Sequence, residues 1–119
     1  MKRAAILVVE DETLLRLHAV DFLTDEGYLV LDAANADEAI RILEARGDVA
    51  LVSTDVNMRG SMDGLRTVEL IHRRWPSVLL IVTSGKNALR DSDLPDSGRF
   101  IPKPYTSERV LQVVQQLAA

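Results

Sequence analysis

The sequence predicts a doubly wound α/β domain around a parallel sheet. Two observations carry this. Five short apolar runs, at residues 5–9, 28–33, 49–53, 78–83 and, most weakly, 99–102, are rich in Val, Ile and Leu without polar alternation, the pattern of strands covered on both faces. Between them lie segments of helical period, and such alternation is satisfied by right-handed crossovers.

Each helix shows one apolar stripe. Leu15, Ala19, Phe22 and Leu23 form the first, and Ala36, Ala39, Ile40 and Leu43 the second. Gly64, Val68, Ile71 and Trp75 keep to one face over three turns, and Val110, Val113, Val114 and Leu117 close the series. The boundaries agree: Gly27 suits a helix stop, Asn35 an N-cap, Pro76 a terminator after Trp75, and Thr106 or Ser107 the final cap. Residues 86–98 hold more Asp, Ser, Gly and Pro than helix formers, so any fourth helix there is expected to be short or disordered. The segment KNALRDSDLPDSG offers only Ala88, Leu89 and Leu94 as apolar anchors, and Pro95 opposes extension.

Composition narrows the classes of function. At 119 residues, 47% apolar and 27% charged, the chain suits one globular domain. A net charge of -4 supplies no basic stripe for a phosphate backbone, so direct nucleic-acid binding is not expected. Cysteine is absent, which removes disulfides and thiolate metal sites. No run reaches membrane-span or signal-peptide length, and a cytoplasmic location is expected.

In a parallel α/β sheet the strand C-termini share one edge, where ligands gather. The first strand delivers Glu10, Asp11 and Glu12 there, the third Asp55, the fourth Thr83 and Ser84, and the fifth Lys103. Carboxylates so crowded repel and raise one another's pKa values unless a divalent cation sits among them. Mg²⁺ fits, because it takes few protein oxygens and keeps several waters. The candidate ligands are Asp11, Asp55 and the backbone carbonyl of Asn57, with Glu10 acting through water. A carboxylate beside Mg²⁺ and Lys103 is equipped to attack phosphorus. The Glu10–Asp11 pair also suits a helix N-cap with favourable acids in the first turn. His18 and His72, among charged neighbours, are expected to be solvated and receive no role.

The set VVEDE (residues 8–12), TDVNM (54–58), VTSG (82–85) and KPY (103–105), in this order and at these separations, resembles the receiver domain of two-component response regulators. The resemblance implies a single receiver domain over residues 1–119 with a flavodoxin-like, five-stranded parallel sheet in the order 2-1-3-4-5. It implies that Asp55 accepts a phosphoryl group from a sensor histidine kinase or a histidine phosphotransfer protein, that Glu10 and Asp11 hold Mg²⁺, that Thr83 bonds the phosphoryl oxygen and that Lys103 pairs with it. Phe100 matches the switch aromatic, and Lys103-Pro104 a dipeptide that is typically cis in the family. Phosphorylation is then coupled to the fourth helix, fifth strand and fifth helix, the face that binds an output protein or forms a phosphorylation-dependent dimer. The chain departs from the family pattern at Arg59, where proline is usual, at an apparent one-residue insertion around Gly60-Ser61, and at Gly85, where many relatives carry a shielding side chain.

Two other classes share some of these features. A haloacid dehalogenase-type hydrolase also uses an aspartate after a buried strand, but it needs a second acid two residues later, where this chain has Asn57. A receiver fold used purely as an interaction module needs none of the acid, hydroxyl and lysine set.

Overall fold

A computed structural model describes residues 4–56, 64–84, 94, 98–102 and 105–118. Five strands, β1 (Ala5–Val9), β2 (Leu29–Ala33), β3 (Val49–Asp55), β4 (Leu79–Ser84) and β5 (Gly98–Pro102), pair in parallel in the order β2-β1-β3-β4-β5. Four helices are seen among the described residues: α1 (Thr13–Asp25), α2 (Ala36–Ala45), α3 (Gly64–Arg74) and α4 (Ser107–Ala118). The doubly wound sheet and its order match the sequence reading. The fourth helix expected within residues 86–94 falls outside the described residues except for Leu94, which packs on the core.

The absence of polar alternation in the strands has its cause in two cores. Along β1, Ala5, Leu7 and Val9 face one cluster with Ala39 and Leu43 of α2 and Val68 and Ile71 of α3. Ile6 and Val8 face the other, with Leu23 of α1 and Val110, Val113 and Val114 of α4. Successive strand side chains point to opposite faces, so a strand buried on both must be apolar at every position. Between Ala5 and Ile6 the pairing with β3 slips from Val49 to Leu51, leaving one extra residue, Ala50, on β3. Val49 and Val52 consequently face the first core and Leu51 the second.

Most boundaries follow local chemistry. Gly27 adopts φ 98°, a left-handed conformation that glycine reaches without Cβ strain, and it stops α1. The Asn35 side chain accepts from the Glu38 amide at 2.9 Å, and the Glu38 carboxylate accepts from the Ala34 amide at 2.9 Å, a reciprocal cap for α2. Thr106 rather than Ser107 caps α4, its hydroxyl accepting from the Arg109 amide at 3.1 Å. After α3, Trp75 packs half-buried on the first core with the Arg74 guanidinium 4.4 Å from its ring centroid.

Some expectations need correction. Glu12, not Glu10 or Asp11, occupies the α1 N-cap; it makes no side-chain cap, and the first turn holds no acid. The apolar stripe of α1 is real, but Leu14 and Leu17, outside it, are 79% and 49% exposed. His18 is exposed yet shares a 2.8 Å hydrogen bond with Ser107, tying α1 to α4. His72 is half-buried rather than solvated, and its Nδ1 is buried with no hydrogen-bond partner among the described residues.

Candidate functional site

Three strand ends bring the proposed chemistry together. β1 and β3 are neighbours, with Val9 opposite Thr54, so the segment leaving β1 carries Glu10 and Asp11 to the end of β3, where Asp55 stands. β4 lies on the other side of β3 and places Thr83 opposite Asp55. The amide of Val56 donates to the carbonyl of Thr83 at 3.0 Å and holds this edge closed by one more backbone bond.

Glu10, Asp11 and Asp55 each offer a carboxylate oxygen, and these oxygens lie within 4.8 Å of one another. Glu10 and Asp55 are each only 4% exposed, and Asp11 is half-buried. Burying ionised carboxylates is costly without compensation. A hard divalent cation meets that need with few protein oxygens, so the donor set fits Mg²⁺. One Glu10 oxygen accepts from the Glu12 amide at 3.1 Å, which orients its carboxylate. Thr83 is 3% exposed, a hydroxyl buried beside the cluster.

Glu10, Asp55 and Thr83 line a cavity of about 590 Å³ together with Leu15, Ala19 and Phe22 of α1 and Val110 of α4. Tyr105, Thr106 and Ser107 also border it.

The structure therefore brings together Glu10, Asp11, Asp55 and Thr83. Phe100 lies on β5, opposite Val82 of β4 and half-buried against the first core. Asn57, Lys103 and the Lys103-Pro104 peptide bond lie outside the described residues, as do Arg59, Gly60-Ser61 and Gly85. One residue that sequence reasoning missed stands behind the acids. Arg16 of α1 donates from one guanidinium nitrogen to the Glu10 carbonyl at 2.8 Å and from Nε to Asp32 at 3.0 Å. Its position one turn into α1, directly after the acidic turn, was the available signal.

Comparison with known proteins agrees with this arrangement. The family model described as the response regulator receiver domain matches residues 6–115. The chain is 33% identical over 119 residues to the hydrogenase transcriptional regulatory protein HoxA of Cupriavidus necator, covering 97% of this chain and 24% of that protein. It is also 33% identical to the sensor kinase CckA of Brucella abortus, covering 96% of this chain and 12% of that protein. The chain thus spans a quarter or less of these two relatives. Among solved structures, a response regulator receiver protein from Sinorhizobium medicae superposes with a TM-score of 0.87 at 27% identity, covering 98% of this chain and 94% of that one. The receiver domain of the hybrid histidine kinase CckA gives 0.83 at 30% identity, with 98% and 100% covered. Among the described residues, no helix is long and apolar enough to cross a membrane. With its fold, its acidic edge and these relatives in agreement, the chain belongs to the response regulator receiver domain family, the phosphorylation-controlled switches of two-component signalling.

Proposed function

We propose that residues 1–119 act as one receiver domain that takes a phosphoryl group onto Asp55 from a sensor histidine kinase or a histidine phosphotransfer protein. The observation that carries this reading is the meeting of Glu10, Asp11 and Asp55 within 4.8 Å, with Thr83 opposite Asp55 in the ladder. In the transfer a bond forms between an Asp55 carboxylate oxygen and phosphorus while the phosphorus–nitrogen bond of phosphohistidine breaks. The imidazole leaves with that electron pair and takes up a proton.

Glu10, Asp11, Asp55 and the Asn57 carbonyl would hold Mg²⁺, which when bound supplies positive charge against the transferring oxygens. Lys103 would pair with the phosphoryl group, and the Thr83 hydroxyl would donate to one of its oxygens. Movement of Thr83 towards that oxygen frees space that Phe100 follows, changing the face presented to an output protein or to a second copy. The domain works as a switch in the cytoplasm and not as a turnover enzyme. Asn57, two residues after Asp55, leaves it without the general acid of an aspartyl-phosphate hydrolase.

A phosphotransfer profile against the sensor kinases and phosphotransfer proteins of the source cell tests the reading. A phosphohistidine donor should hand its label to the wild-type chain and leave Asp55→Asn unlabelled. Failure of every such donor would contradict a kinase-fed switch.

A further inference from the structure

We infer that Arg16 is a positioning residue for the metal site, setting Mg²⁺ affinity through the backbone of Glu10 without touching the ion. The inference rests on the metal reading above and concerns a residue outside its ligand set.

Three observations carry it. The Arg16 side chain is only 15% exposed, so its guanidinium is held against the protein. One arm donates to the Glu10 carbonyl at 2.8 Å, and that carbonyl belongs to the peptide unit joining Glu10 to Asp11. The other arm, Nε, bonds Asp32 on β2 at 3.0 Å, and Asp32 is the ladder partner of Val8 on β1. The guanidinium is thus anchored to the sheet at one point and grips the start of the acidic turn at another.

A planar fork with fixed donor directions suits this task, whereas an ammonium on a flexible stem does not. Fixing the Glu10–Asp11 peptide fixes where the two side chains leave the backbone. The Glu12 amide bond to the Glu10 carboxylate then sets the rest of that side chain. Residues that orient metal ligands from behind typically alter affinity by about 10–100-fold when removed.

The test is calorimetric titration of Mg²⁺ into the wild-type chain, Arg16→Met, Arg16→Lys and Asp32→Asn, each checked by circular dichroism and thermal melting. Arg16→Met is expected to weaken Mg²⁺ binding by about tenfold while remaining folded at the titration temperature. Arg16→Lys, which keeps the charge but cannot hold both partners in the same geometry, should fall between it and wild type. Asp32→Asn should lie close to wild type, because its amide oxygen can still accept from the Arg16 Nε and both anchors survive. If Arg16→Met does not fold, Arg16→Lys decides the question by the same affinity. Unchanged Mg²⁺ affinity in a folded Arg16 variant overturns the inference and leaves the metal reading standing. A wild-type chain that takes up no Mg²⁺ overturns the metal reading, and this inference with it.

Discussion

Asp55 and Thr83 are ladder partners at the ends of β3 and β4, and the next residue, Val56, donates its amide to the Thr83 carbonyl at 3.0 Å. The proposed acceptor and the hydroxyl proposed to read its phosphorylation are therefore held side by side by main-chain bonds, before any ligand arrives. The relationship separates two roles that mutation can address independently. Thr83→Ala should slow labelling by acetyl phosphate far less than Asp55→Asn does, because it removes one hydrogen-bond donor but no charge or nucleophile. It should abolish most of the change in hydrogen exchange that the phosphoryl mimic beryllofluoride produces in the wild-type chain around β5 and α4.

The acids should oppose one another in the absence of metal. Asp11→Asn removes one charge from a group whose oxygens lie within 4.8 Å. It is expected to raise the stability of the metal-free protein by on the order of 1 kcal/mol. The same change should weaken Mg²⁺ binding by at least about tenfold, since it removes a ligand rather than a supporting residue. Urea denaturation with and without Mg²⁺ reads both effects: the midpoint should rise without the ion, and the gain from adding it should shrink.

The α2 cap, which contributes no carboxylate to the acidic cluster, gives a control. Asn35→Ala removes the bond to the Glu38 amide and should cost about 1 kcal/mol in a urea melt. Mg²⁺ affinity and labelling should not change, since the Asn35 cap serves α2 and supplies no ligand.

The core makes a sharper demand. Ile81 is fully buried between Leu51, Ile101 and the α1 and α4 residues of the second cluster. Ile81→Ala should destabilise the fold by about 2–5 kcal/mol, whereas Leu14→Ala, at a residue 79% exposed, should change it by less than about 0.5 kcal/mol. Thermal melting distinguishes the two directly.

What could be read from the sequence was what depends on neighbours along the chain. Apolar runs gave the strands, Asn35 and Gly27 gave helix boundaries, and the residues following each run gave the acidic edge. What escaped depends on distant partners. Arg16 meets Asp32, sixteen residues on, and His18 meets Ser107 across 89 residues; neither contact has a local signature. Helical period found the buried stripe of α1 but did not assign Leu14 and Leu17, whose exposure depends on what packs beside the helix. Thr106 and Ser107 were equivalent caps until the Arg109 amide chose one.

The central claim is that Asp55 is the single phosphoryl acceptor, and intact-mass measurement after incubation with acetyl phosphate and Mg²⁺ tests it most directly. The wild-type chain should gain one phosphoryl group, lost on treatment with hydroxylamine as an acyl phosphate is. Asp55→Asn should gain none, and omission of Mg²⁺ should suppress the gain in wild type. A hydroxylamine-sensitive phosphoryl group appearing on Asp55→Asn at the wild-type rate would place the nucleophile elsewhere and contradict the account.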